Sequence, residues 1–440
     1  MELSGRLLLR ILPTHRAAAE AFLKPFDADI CESMNVWSIA VPDGETEATL
    51  TARLREAERL ASVDWFAWIR PDWRVFVQSA TVVPNDPEYV FQWHHATIGS
   101  PLAWAATTGL REVTVAFVDT GIDLTHHDLV PNLVPGYCSY LTTRLPQIDN
   151  GIVRDAHGHG TTVAGVAAAI GNNHAGTAGI AWNVSIMPIR ATNPAWPTGG
   201  ATSMDIINGA LWAADHGARI VNISFSGIAE PYVQDLGAAL RQRRVLLIWP
   251  VDNYAIDYGD SFDHPDVLVV AGTNQVDQRS PASSFGDGVD ISAPAAGIYT
   301  SISGGGAWYR DGNSFAAPMV AGAAALVLSA ASELTPAQVE AVLKDTAADL
   351  GEIERDPYFG FGRIDVGRAI WLAPLRQFAG GAGAAPERDI RARYSIEDLY
   401  AQVAALRDLD GDGLATPADA FVLRDLLRYD EVEGTTFRAR

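Results

Sequence analysis

Four side chains far apart in the 440-residue chain are of the types that together open an acyl bond. Asp119 closes the apolar run VAFVD and is followed by Thr120 and Gly121. His159 stands in DAHGHGTTVAGV with a glycine on either side. Asn253 follows the apolar run RVLLIWP, and Ser314, in GNSFAAP, opens an Ala-rich run. A serine hydroxyl attacks a carbonyl only with a base to take its proton, an acid to orient that base, and donors for the oxyanion. Each residue alone has a plainer reading. Asp and Asn are common turn residues. Ser is a preferred helix N-cap, with Pro318 tolerated in a helix's first turn. His157, two residues before His159, could suggest a metal pair, but neither HExxH nor a pair of cysteines accompanies it, so zinc is a poor fit.

The segments around these residues alternate. Strand-like runs VTVAFVD, VSIMPIR, ARIVNISF, RVLLIWP and DVLVVAG are separated by helical runs GTTVAGVAAAI, SMDIINGALWAADH and SFAAPMVAGAAALVLSA. Continuous apolar strands between helices predict a doubly wound, mostly parallel α/β sheet, with the site outside the strands' carboxyl ends. Before it, strands at 5–12, 34–41, 62–69 and 73–78 and helices RAAAEAFLKPF and TEATLTARLREAERLA predict a small α+β domain. The expected division is a first domain at 1–81, a connector at 82–98, the large domain at 99–374, a Gly/Ala linker at 375–386 and a last helical module at 387–440.

Asp-Thr-Gly, His-Gly-Thr-x-Val-Ala-Gly, an Asn after a buried strand and Gly-x-Ser-x-Ala-x-Pro, in that order, resemble the subtilisin-like serine proteases. That Asp…His…Ser order is also a standard illustration of the group. The likeness spans roughly 92–374 and implies a serine endopeptidase working through an acyl-enzyme. Ser314 would attack, His159 would act as base, Asp119 would orient it, and Asn253 with the Ser314 N–H would hold the oxyanion. The pocket for the residue before the cut would lie between Ser224, Phe225, Ser226 and Gly227 and Pro250, Val251 and Asp252. Three positions depart from the pattern: Asn313 stands for Thr, Phe315 for Met, and Asp252 for Gly. A carboxylate at Asp252 would favour Arg or Lys there. The first domain is similar to the prodomains of this family, an intramolecular inhibitor in the ferredoxin-like α+β class, so self-cleavage is expected within about 76–92. The other reading is a catalytically silent fold used as a scaffold.

DLDGDGLATPAD, residues 408–419, places Asp408, Asp410, Asp412 and Asp419 at positions one, three, five and twelve of a loop, with Gly413 at six. With the Leu414 carbonyl and Thr416 these are the oxygen ligands of an EF-hand-type calcium loop. Flanked by IEDLYAQVAAL and FVLRDLLR, the loop resembles a dockerin module, whose partner would be a cohesin-like domain. Its companion ERDIRARYSIED carries Arg391 at position five and is degenerate. By family likeness, Asp128 and Asn173 would belong to a second calcium site.

The formal charge of −21, from 53 acidic against 32 basic residues, argues against nucleic acid or an anionic membrane surface as partner. Cys31 and Cys138 define no disulfide framework. No uninterrupted apolar run suggests a membrane span. MELSGRLLLRILPTH does not read as a signal peptide. Family likeness points to an extracellular or periplasmic enzyme, and the missing leader to a cytoplasmic one.

Overall fold

The computed structural model describes residues 2–11, 28–31, 36–42, 47–61 and 66–74, a few positions between 19 and 24, and then 81–140, 153–193, 196 and 198–378. The chain divides into two compact units, Met1–Ser79 and Ala80–Arg440. The dockerin-like loop, with Asp408, Asp410, Asp412, Leu414, Thr416 and Asp419, lies outside the described residues.

In the first unit β1 (Glu2–Ile11), β2 (Ala28–Cys31), β3 (Val36–Ala40) and β4 (Phe66–Arg74) form an antiparallel sheet in the order β2-β3-β1-β4. Helix α1 (Glu47–Ala61) contributes Leu50 and Leu54 to a small core with Leu9, Ala19, Leu23 and Ile39. Where the sequence suggests two strands at 62–69 and 73–78, a single strand runs through Pro71. β4 is an edge strand, and an edge tolerates a residue with no N–H to donate.

The second unit holds a seven-stranded sheet: β5 (Thr114–Asp119), β6 (Tyr137–Cys138), β7 (Ser185–Arg190), β8 (Ile220–Ile223), β9 (Leu246–Pro250), β10 (Val267–Thr273) and β11 (Ile291–Pro294). Its order is β11-β10-β9-β8-β5-β7-β6, and every pairing is parallel. The five long strand-like runs of the sequence all fall on these strands.

Because side chains alternate along a strand, β5 serves two cores. Val115 and Phe117 join one with α4 (His159–Ala168) and α7 (Asn313–Ala330). Ala116 and Val118 join the other with α5 (Ser203–Asp215) and α6 (Pro231–Gln242). Earlier in the chain, α2 (His94–Thr97) and α3 (Ser100–Ala106) are short. The last helices are α8 (Pro336–Asp345) and α9 (Val366–Phe378). α7 has the length and hydropathy to cross a bilayer, but 89% of that stretch is buried, so it is a core helix. Asn313, Ser314 and Pro318 interrupt its apolar run, which is why a search for an unbroken one passes over it.

β5 is where the chain changes direction across the sheet. The strands after it pass to β7 and β6 on one side and to β8, β9, β10 and β11 on the other. Loops diverge there beyond the strands' carboxyl ends and leave a crevice. Asp119 is the last residue of β5 and so sits at that crevice.

Candidate active site

Asp119 is 1% exposed, and its Oδ1 accepts a hydrogen bond from the Thr120 N–H at 2.7 Å. The His159 ring stands against it, with Nδ1 2.8 and 3.0 Å from the two carboxylate oxygens. A carboxylate only accepts, so Nδ1 carries the proton and Nε2 is the nitrogen available to a nucleophile. Helix α4 can come this close because Gly160 has no side chain: a Cβ there would lie 2.2 Å from the Gly121 carbonyl oxygen. Gly121 is needed for a different reason, a φ of +102° in the turn that leaves β5. Burial pushes the His159 pKa down. The charge and hydrogen bond of Asp119 and the charge of Asp155 outweigh that, against a smaller opposing effect of Arg310, and the net shift is upward.

Ser314 is not a helix cap. The N-cap position is Gly312, at φ +130°, and Ser314 is the second residue of α7. Pro318 is consequently in the second turn, not the first. It offers no N–H to the carbonyl four residues back, which is that of Ser314. The freed carbonyl accepts a hydrogen bond from Ser224 Oγ at 3.3 Å instead. This ties the segment at 224–227 to the helix mouth.

Asn253 is fixed by its Oδ1, which accepts from the Asn313 N–H at 2.8 Å and leaves its side-chain NH₂ to other acceptors. The Asn313 side chain, fully buried, donates to the carbonyls of Val251 and Asp252 at 3.0 and 3.1 Å. The nucleophile segment and the 250–253 segment are thereby stapled together. Asn253, His159 and Ser314 line one cleft of about 480 Å³ with His157, Gly158, Thr162, Ile302, Ser303, Arg310, Asp311 and Phe315. Phe315 packs on His159, ring centroids 5.9 Å apart.

Of the residues expected to form the specificity pocket, Ser224, Phe225, Ser226, Gly227, Pro250, Val251 and Asp252 do not line that cleft. The Asp252 carboxylate is engaged within the protein. The residue is 6% exposed, accepts from the Gly227 N–H at 2.9 Å, and accepts a hydrogen bond from the Tyr258 hydroxyl. Burial and the adjacent Asp252 charge hold the Tyr258 phenol protonated well above its usual range. The carboxylate therefore latches the 224–227 and 250–258 segments together.

Asp128 and Asn173 do meet: the Asn173 amide donates to Asp128 Oδ1 at 3.1 Å. The Thr177 N–H donates to the other oxygen at 3.0 Å, and His127 Nε2 lies 3.2 Å from the first. Asn173 Oδ1 accepts from the Ala175 N–H. As arranged, this loop surrounds the carboxylate with nitrogen partners. Among the described residues no group of three or more His, Cys, Asp or Glu is placed to hold a metal ion.

The sequence reading missed the cleft's far wall. Ile302, Ser303 and Arg310 come from the hairpin of β12 (Ile298–Ser301) and β13 (Ala307–Arg310). The cue is Gly304-Gly305-Gly306 between two short aromatic-containing runs, a turn signal just before the serine segment.

An imidazole bound by a buried carboxylate, sharing a cleft with a serine at a helix N-terminus, is the equipment of a serine hydrolase. Comparison with known proteins narrows the class. The family model described as "Subtilase family" matches residues 111–362. The chain is 30% identical over 299 residues to the thermophilic serine proteinase of Bacillus sp. strain AK1, covering 67% of this chain and 71% of that protein. It is 31% identical over 300 residues to the halolysin-like extracellular serine protease Nep of Natrialba magadii, covering 66% of this chain and 53% of that protein. Among solved structures, a protease of Pseudoalteromonas arctica PAMC 21717 superposes with a TM-score of 0.57 at 27% identity, over 66% of this chain and 100% of that one. The chain belongs to the subtilase family of serine peptidases.

Proposed function

We propose that the protein is a serine endopeptidase in which Ser314 is the nucleophile, His159 the general base and then acid, Asp119 the orienting carboxylate, and Asn253 with the Ser314 N–H the oxyanion donors. The observation that carries this is the bidentate approach of the His159 Nδ1 to a buried Asp119 in the cleft that Ser314 lines. With Nδ1–H held by the acid, Nε2 is the lone-pair nitrogen that takes the Ser314 proton as Oγ attacks the carbonyl. The tetrahedral oxyanion forms beside the helix N-terminus, whose partial positive charge and Ser314 N–H favour it. His159 then passes its proton to the leaving amine, and a water repeats the sequence in reverse on the acyl-enzyme.

The silent-scaffold reading is not favoured, because no reacting group is missing. The first domain would act as an inhibitory prodomain cut within 76–92. The 408–419 loop would hold a stabilising calcium ion through its acidic side chains. The name of one relative, the halolysin-like protease of Natrialba magadii, says that it is extracellular, which supports export.

The test is hydrolysis of a chromogenic peptide and mass spectrometry of the purified chain, for wild type and Ser314→Ala, with and without calcium. Expected are turnover and a new N-terminus within 76–92 for wild type only. Equal turnover by Ser314→Ala overturns the reading. A new N-terminus in both proteins overturns self-cleavage alone.

A further inference from the structure

The loop that delivers His159 is organised around a carboxylate outside the reacting set. Asp155, four residues before His159, is 9% exposed and accepts five hydrogen bonds. Oδ1 takes the Thr120 hydroxyl at 2.8 Å and the N–H groups of His157 and Gly158 at 2.9 and 2.7 Å. Oδ2 takes the N–H and the hydroxyl of Thr161 at 2.9 and 2.6 Å. Asp155 thus satisfies an orphan donor of the first turn of α4 and places negative charge at that helix's positive end.

Thr120 carries the connection to the acid. Its hydroxyl donates to Asp155 and accepts from the Gly160 N–H at 2.9 Å, while its own N–H donates to Asp119. One hydroxyl and two backbone N–H groups therefore bridge the end of β5 to the start of α4, the two elements whose separation sets the Asp119–His159 distance. Asp155 is itself pinned to the turn after β5 by its N–H on the Ile122 carbonyl at 3.1 Å.

We infer that Asp155, acting through Thr120, is a positioning residue for catalysis: it holds the general base at the distance and orientation its carboxylate partner requires. This rests on the reading of Asp119, His159 and Ser314 given above. The charged or titratable groups facing the His159 ring are Asp119 from β5, Asp155 from its own loop and Arg310 from β13, with His157 and Asp311 lining the same cleft. Removing the Asp155 charge takes away one of the influences that favour the imidazolium.

The test compares full-length wild type with Asp155→Asn, Thr120→Val and Thr120→Ser. Asp155→Asn keeps the size but turns an NH₂ toward donors. It is expected to lower kcat about 10- to 100-fold, the scale of a small misplacement of a reacting group. KM should stay within about twofold, because substrate-binding groups are untouched. The acidic limb of kcat/KM should move to lower pH. Thr120→Val should lower kcat similarly, and Thr120→Ser, which keeps the hydroxyl, should restore it. The Asp155→Asn/Thr120→Val double variant should be no worse than the worse single one, since both cut the same bridge.

If Asp155→Asn lowers only the melting temperature, with kcat and the acidic limb as in wild type, the inference is overturned. If Asp155→Asn does not fold, the Thr120→Val and Thr120→Ser pair decides, and equal kcat in those two overturns it. Ser314→Ala in parallel separates the two ideas: activity in that variant sinks the nucleophile assignment, whatever Asp155 does.

Discussion

At the scale of single residues, the proposed site is a set of groups fixed in place before substrate arrives. Asn253 is held by the Asn313 N–H on its Oδ1, so its amide is oriented before substrate arrives. Replacing Asn253 by Ala is expected to lower kcat about 10²- to 10³-fold with little change in KM, as loss of one oxyanion donor does elsewhere; steady-state kinetics measure it. At Asp252, residue type and surroundings point to different roles. A carboxylate beside a pocket reads as a selector for basic residues, but this one is engaged by the Gly227 N–H and the Tyr258 hydroxyl. Asp252→Ala should therefore leave the ratio of cleavage after Arg to cleavage after Leu unchanged while lowering thermal stability. The four residues proposed to react were legible in the sequence because each lies in a short segment with a distinctive neighbourhood. Tyr258 was not, because nothing local marks a hydroxyl that reaches back six residues to a buried acid. Asp155 is an intermediate case. An acid four residues before a helix-opening His is visible in the sequence, but one of its donors, Thr120, lies 35 residues away and reaches it only through the tertiary fold.

At the scale of elements, the proposed mechanism depends on how closely α4 seats on the end of β5. Gly160 permits that approach, since a methyl there would fall 2.2 Å from the Gly121 oxygen and 3.0 Å from the Asp119 Cβ. Gly160→Ala is expected to push His159 away from Asp119. It should lower kcat on the order of 10²-fold, the effect of about an ångström of displacement, and lower the melting temperature by several degrees. Activity assays and differential scanning calorimetry on one preparation check both. α7 meets its own constraint differently, because Pro318 releases the Ser314 carbonyl, which Ser224 then engages. The long strands and helices of the large domain were legible from alternation and apolar runs. The β12–β13 hairpin was not, because its strands are four residues each and its apolar residues show no clear period.

At the scale of the whole molecule, the fold buries groups that acid would charge. His94 and His95 are both fully buried, and His94 makes no hydrogen bond with either ring nitrogen. His95 lies 3.0 Å from the Ala178 carbonyl through Nε2, so that nitrogen carries the proton, and Nδ1 meets Ser100 Oγ. Burial depresses the His94 pKa well below the usual imidazole value and that of His95 to about 3. Below pH 6.5 the unfolded chain binds protons that the folded chain refuses. The associated stability is therefore present above pH 6.5 and lost as pH falls through 6.5 toward about 3. Acid unfolding followed by tryptophan fluorescence should show this, and His94→Phe should move the midpoint to lower pH. An unchanged midpoint would mean His94 is not the group that acid charges.

The account depends most on Ser314 being a nucleophile activated by His159. Intact-mass and peptide-mapping analysis after treatment with a fluorophosphonate tests this directly. One adduct per chain, on Ser314, absent in Ser314→Ala and formed far more slowly in His159→Ala, is the expected result. A folded protein that takes up no adduct, or takes it up equally well in Ser314→Ala, would contradict it.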